Sequence, residues 1–240
     1  VGMATTGGVF LVAWLCLLQI ITPRLGQIKQ VEEVFWQQIK GCMAEGNNSY
    51  VDFKVFKFCE NILFPNRPIV YIVGDSHSNS LYQGLEPYFH SRKVNVINYS
   101  VVNCIPFSLV DSRKACVDYN RYIQQKTAEQ KPALVIFSAY HINQKMENFY
   151  HEKVSYADFI HQQVEHLVSI GAKHVIVVGE IPTWDVSLPH VLNTQFLRHG
   201  KPVPKRTYTG VMQQSLAMDA TLRQIPYSQA ISYFSLKDIL

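Results

Sequence analysis

Short apolar runs alternate with amphipathic stretches along most of the chain. Residues 69–73, 94–99, 133–138, 174–179 and 230–234 are rich in β-branched and aromatic residues, the pattern of buried strands. Between them, 80–90 sets Leu81, Leu85 and Tyr88 or Phe89 on one side at helical spacing, and 115–129, 156–170 and 209–225 read as further helices. Pro132 ends the second of these, and Gly171 caps the third. Apolar strands separated by helices predict a parallel sheet covered on both faces. Residues 179–204, with Pro182, Pro189, Pro202 and Pro204, predict a long loop.

The pattern is different upstream. Residues 2–22 carry no charge and include Phe10, Leu11, Val12, Trp14, Leu15, Leu17, Leu18, Ile20 and Ile21, followed by Pro23 and Arg24. That length suffices to cross a bilayer as a helix. Neither an initiating methionine nor a basic leader precedes it, so it reads as an internal membrane helix of a longer protein rather than a signal peptide. The alternative is an unusually apolar buried helix. The expected organisation is a membrane helix over 1–24, a linker and adapter over 25–67, and a folded domain over 68–240. Within the adapter, 30–39 has the spacing of a one-sided helix and 41–50 is turn-rich.

Composition narrows the function classes. The net charge of +4 arises from mixed signs, with 17% charged residues and no long basic block. Lys201, Lys205 and Arg206 form a small cluster that reads as a solvated loop, so no nucleic-acid partner is predicted. Of five cysteines, Cys16 falls in the apolar segment. The spacing of Cys42, Cys59, Cys104 and Cys116 holds no Cys-x-x-Cys pair, and no metal site is predicted. In an oxidising compartment Cys104 with Cys116 and Cys42 with Cys59 can form two disulfides; in a reducing one all four are core thiols.

Candidate chemistry lies where the first strand ends. Gly74 and Asp75 interrupt the apolar run, and Ser76 stands at the junction with a helical segment. In a parallel sheet this is the carboxyl edge, where ligands bind. A serine there can act as nucleophile beside backbone N–H groups that stabilise an oxyanion. The competing reading makes Ser76 a helix cap and Asp75 an ordinary turn residue. The stretch is neither a Gly-x-Ser-x-Gly elbow nor a phosphate-binding loop.

Gly74-Asp75-Ser76-His77 resembles the first block of the SGNH/GDSL hydrolase superfamily. With His after Ser, it is similar to the SGNH domain fused to acyltransferase-3 membrane proteins. Val101-Val102-Asn103-Cys104-Ile105-Pro106 resembles that branch's Cys-x-Pro loop, and Cys116 matches the second cysteine that commonly follows. Val135-Ile136-Phe137-Ser138-Ala139-Tyr140-His141 and Val177-Val178-Gly179-Glu180-Ile181-Pro182 resemble its third and fourth strands with their loops.

The resemblance implies a three-layer α/β/α sandwich on a five-stranded, parallel, flavodoxin-like sheet, preceded by one transmembrane helix. It implies O-acetylation of a cell-surface polysaccharide by a membrane-anchored protein whose SGNH domain lies on the periplasmic or extracytoplasmic side. Partners would be the glycan acceptor, the membrane and an upstream acyltransferase membrane domain in the same chain. The domain itself would need no cofactor, with acetyl-CoA the donor to the membrane domain.

Ser76 would be nucleophile and backbone oxyanion donor, supported by Gly74, Asp75 and His77. No Gly-x-Asn-Asp motif is present, which leaves Asn103, His141 and Asn143 as candidate oxyanion or substrate contacts. The family takes its general base from an Asp-x-x-His motif after the last strand. That motif is expected beyond Leu240, so these 240 residues alone are expected to be slow or inert. Asp158-Phe159-Ile160-His161 has the spacing but precedes the fourth strand, on the wrong side of the topology. A carbohydrate acetyl esterase of the same fold and a non-catalytic glycan-binding module are the alternatives.

Overall fold

The structure is a computed structural model. It describes residues 43–45, 59–60, 62–102, 104, 106–109, 113–142, 155–205, 207 and 209–239. These belong to one compact unit, Cys42–Leu240. The apolar segment 2–22, the helix expected over 30–39, Cys16, Cys42, Asn103 and Asn143 lie outside the described residues. Among the described residues, no helix is long and apolar enough to cross a membrane.

The strands in chain order are β1 (Met43–Glu45), β2 (Ile69–Gly74), β3 (Asn95–Val102), β4 (Leu134–Ser138), β5 (Val175–Val178) and β6 (Ile231–Phe234). The described helices are α1 (Ser76–His90), α2 (Lys114–Gln130), α3 (Tyr156–Ser169), α4 (Leu188–Gln195) and α5 (Gln213–Arg223). All strands are parallel, in the order β1-β3-β2-β4-β5-β6. The five expected strands are all present, in flavodoxin-like order, and β1 adds a sixth at the edge beside β3. Met43–Glu45 falls in the stretch read as turn-rich, where three residues are too few to show a strand period.

Alternation along the strands sorts side chains to two faces. Val70, Ile72, Val96, Ile136 and Val178 meet Leu81, Tyr82, Leu85 and Phe89 of α1. Tyr71, Val73, Ile97, Tyr99, Val135, Phe137, Val175 and Val177 face the other way. There they pack on Tyr119 and Ile123 of α2, Phe159, Ile160, Val164 and Leu167 of α3, and Leu222 of α5. The sheet is thus sandwiched between helical layers.

Cys59–Glu60, upstream of β2, is fastened to this second layer. Glu60 accepts hydrogen bonds from the hydroxyls of Tyr99, at 2.7 Å, and Tyr122, and pairs with Lys126 at 3.3 Å. Cys59 is buried and disulfide-bonded. Cys42, its expected partner, lies outside the described residues. The other expected disulfide, Cys104–Cys116, is present with Cα atoms 5.3 Å apart. It ties the loop after β3 to the first turn of α2. Asn120 of α2 holds the same loop, accepting from Phe107 N–H and donating to Ser108 O, both at 2.7 Å. That grip sustains a positive φ of 66° at Phe107, which a bulky residue adopts only when its surroundings hold it there.

Residues 179–204 differ from the expected loop in holding α4 and a 3-10 turn, Leu197–His199. Pro189 does not prevent a helix there because it sits in the first turn, where its missing N–H costs nothing. The whole excursion is closed at its base. Trp184 and Val211 form an antiparallel bridge, Asp185 N–H donates to Gly210 O at 2.9 Å, and Met212 N–H donates to Thr183 O at 2.8 Å.

One close approach sets the geometry between β2 and β4. A Cβ on Gly74 would stand 1.8 Å from the Ser138 carbonyl oxygen, and Gly74 has φ +147°. Gly74→Ala is expected to lower the unfolding free energy by about 2–5 kcal/mol, through backbone strain and overpacking together. A shift of the denaturant midpoint checks this. Cys104→Ala with Cys116→Ala should cost about 3 kcal/mol, the chain-entropy value for a short closed loop. An unchanged midpoint would mean that the bridge contributes nothing to stability.

Candidate functional site

In this strand order the sheet's direction of winding reverses between β2 and β4, and their carboxyl ends open the crevice where such folds bind ligands. Gly74 ends β2 and Ser138 ends β4, paired in register. Asp75 and Ser76 follow Gly74, so the sequence-predicted junction stands at this crevice.

Asp75 is the N-cap of α1. Its Oδ1 accepts from His77 N–H and its Oδ2 from Tyr140 N–H, each at 2.8 Å. One buried carboxyl therefore joins the end of β2, the start of α1 and the loop after β4. Burial pushes its pKa above the usual carboxylate range, while His77 and the two N–H donors oppose the shift. Because Asp75 does the capping, α1 begins at Ser76 rather than near residue 80 as the apolar spacing indicated.

Ser76 is exposed and is the first residue of α1. Among the described residues its hydroxyl makes no hydrogen bond. Its backbone N–H, in the first helical turn, has no acceptor within the helix. A free hydroxyl and a free amide thus occur on one residue at the positive end of a helix, an arrangement suited to a developing oxyanion.

A polar seam beneath α1 holds that end in place. Ser78 Oγ lies 2.7 Å from Asp75 O and 2.5 Å from Ser100 Oγ, its single proton shared between these two acceptors. Ser100 Oγ donates to Asn98 Oδ1, and Asn98 Nδ2 to Asn79 Oδ1, both at 2.6 Å. All four residues are buried. From the other face of the sheet, Tyr119 OH donates to Tyr99 O at 2.5 Å.

His77 is half-buried, its ring 5.0 Å from that of Tyr140. Its Nδ1 is buried without a hydrogen-bond partner, and burial lowers its pKa. His77 and Tyr140 thus pack against each other beside the Asp75 cap.

His141 stands differently from the expectation of a substrate or oxyanion contact. It is buried, with Nδ1 2.7 Å from Tyr156 OH and Nε2 3.2 Å from Val178 O. A carbonyl only accepts, so Nε2 carries the proton and Nδ1 accepts from the tyrosine. Burial pulls its pKa down to about 4, so the ring is neutral at physiological pH. With both nitrogens engaged, His141 braces the loop from behind and has none left for a substrate. Asn103 and Asn143, the other two candidate contacts, lie outside the described residues.

Asp158 and His161 both lie on α3, among the helices on the opposite face from α1. Asp158 serves the helix N-terminus with Ser155, and His161 faces Glu165 at 3.6 Å. They form no dyad with Ser76. No three His, Cys, Asp or Glu among the described residues gather as a metal cluster.

Glu180 has a place at the site that the sequence pattern alone does not indicate. It follows β5 at the same carboxyl edge, is buried, and accepts from Ile142 N–H at 2.9 Å through Oε2. Its pKa is pushed up to about 8 by burial, with Asp75 and Asp219 adding to the effect. The available signal was an acidic residue directly beyond a buried apolar strand, where a solvated loop residue was the ordinary reading.

No curated protein matches the chain. Among solved structures, the periplasmic domain of a lipopolysaccharide acetyltransferase from Salmonella ser. Paratyphi A superposes with a TM-score of 0.61 at 15% identity. The match covers 84% of this chain and 76% of that one, and at this identity it establishes a shared fold. The family model described as SGNH domain (fused to AT3 domains) matches residues 42–240, the same span as the compact unit that carries the crevice, and the chain belongs to that family.

Proposed function

We propose that this domain transfers acetyl groups to hydroxyls of a cell-surface glycan, with Ser76 as nucleophile. The observation that carries the reading is the exposed, unbonded Ser76 hydroxyl at the start of α1. It lies at the crevice that flavodoxin-like sheets use for ligands. Family membership and the shared fold with an acetyltransferase periplasmic domain support the choice of group transferred.

In this scheme Ser76 Oγ attacks the acyl carbonyl carbon as its proton passes to a general base. That base is a histidine of an Asp-x-x-His motif lying beyond Leu240. The donor's leaving group departs with the proton, leaving an acyl-serine. A glycan hydroxyl then attacks the ester, its proton passes to the same base, and Ser76 recovers its hydrogen. The Ser76 N–H, with Asn103 or Asn143, stabilises the oxyanion in both steps. Gly74 and Asp75 hold the turn, and His77 with Tyr140 walls the acyl site.

The apolar residues of 1–24 anchor the domain, and a fused acyltransferase membrane domain delivers the acetyl group across the bilayer, with acetyl-CoA as its source. An extracytoplasmic position agrees with the Cys104–Cys116 disulfide, since such bridges persist in oxidising compartments.

Ser76→Ala in the natural full-length protein should lower glycan acetylation by about 10³-fold or more. The unfolding midpoint should stay unchanged, because the lost hydroxyl is exposed and unbonded. Acetyl ester content of the host's surface glycans is the measurement. A rise in the mutant would instead make the domain an esterase, and no change would remove Ser76 from the chemistry in favour of a glycan-binding role.

A further inference from the structure

Glu180 has no part in the scheme above, yet it touches the same loop as Asp75. The loop after β4 presents two alternate N–H groups to two carboxyls. Tyr140 N–H goes to Asp75 Oδ2 at 2.8 Å, and Ile142 N–H to Glu180 Oε2 at 2.9 Å. His141, between them, points into the core and reaches Val178 O, two residues before Glu180. The loop is therefore gripped from the β2 turn on one side and from the end of β5 on the other. We propose that Glu180 is a positioning residue for the candidate site. It holds the 139–142 loop, and with it the Tyr140 wall, against the Ser76 turn. The link to catalysis rests on the Ser76 reading; the grip on the loop does not.

The surroundings of Glu180 favour its neutral form. Around Glu180 stand Asp75 at the β2 turn, Tyr140 and His141 on the loop, and Asp219 on α5, with Tyr233 of β6 bonded to Asp219. Asp219 packs against the adjoining residue, since a Cβ on Gly179 would lie 2.3 Å from its Oδ1. Tyr233 OH donates to that same oxygen at 2.5 Å. Both nearby carboxyls raise the cost of a third negative charge. Backbone N–H groups of Ile142 and His141 favour the ionised form, but burial outweighs them. Glu180 Oε1 is buried with no hydrogen-bond partner, which a neutral acid tolerates far better than a carboxylate.

The folded chain thus binds this proton more tightly than the unfolded chain does. The acid's support is complete below the ordinary glutamate range and is lost as pH rises through about 8. Once ionised, the buried carboxylate needs water at Oε1, which no protein group serves, and the loop opens to admit it although both amides favour the charge.

The test is amide hydrogen exchange across 139–142 in the full chain, expressed as protection factors so that the intrinsic pH dependence of exchange cancels. Between pH 6.5 and 9.5 the wild type should lose protection about tenfold, the scale of one buried hydrogen bond. Glu180→Gln keeps an acceptor and cannot ionise, so its protection should stay within about twofold. Constant wild-type protection, or an equal loss in both proteins, overturns the proposal, and the wild-type series decides even if the variant fails to fold. In parallel, kcat for acetyl transfer should fall above pH 8 in the wild type and hold in Glu180→Gln, with KM little changed. If Ser76→Ala retains turnover, the nucleophile assignment fails while the exchange data still decide the role of Glu180.

Discussion

A single carboxyl, that of Asp75, holds together the three segments that meet at the crevice. Its two oxygens take N–H groups from α1 and from the loop after β4, at equal distances of 2.8 Å. Hydrogen bonds to a charged acceptor are each worth about 1.5–3 kcal/mol, and burial here removes water as a competing donor. The arrangement also explains why Ser76 is free. A helix start needs one capping side chain, and both Asp75 and Ser76 qualify chemically. Asp75 takes the task, so the serine hydroxyl is released to face solvent.

The remainder of the α1 anchorage is polar where the rest of the molecule is greasy. Ser78 and Asn79 on the helix meet Asn98 and Ser100 on β3, in a layer otherwise built from Val, Ile, Leu and aromatic side chains. Apolar packing alone lets a helix slide or roll with little penalty, since one aliphatic contact substitutes for another. Directed bonds between named atoms do not permit that. The seam fixes the rotation of α1 at the end where orientation matters, and Leu81, Leu85 and Phe89 supply the bulk of the burial further along.

The β-strands were legible because apolar runs of four to eight residues have few other uses in a chain of this composition. β1 was not, since three residues carry no period, and its strand character comes from pairing with Ser100, Val101 and Val102. α1 starts earlier than its apolar spacing indicates, because Ser76 to Ser80 show no such spacing and are drawn into the helix by the Asp75 cap and by bonds to β3. At the site, Gly74 to His77 were readable as local chemistry at a strand end. Glu180 and the inward turn of His141 were not, because both depend on which segments the fold brings together across the sheet. Asn98 and Ser100 did carry a trace, as polar residues two apart within an apolar strand.

The pinched base of the 185–210 excursion has a consequence for how this scaffold tolerates change. Its two ends are joined by the Trp184–Val211 bridge and by the Asp185–Gly210 and Thr183–Met212 backbone bonds. Whatever lies between those ends meets the sheet through the same fixed doorway. Closing a longer loop at such a doorway adds only about 0.6 kcal/mol for each doubling of its length. The excursion is thus a cassette: a change in its length costs little in closure, and the base bonds keep the strands and the Ser76 turn in place.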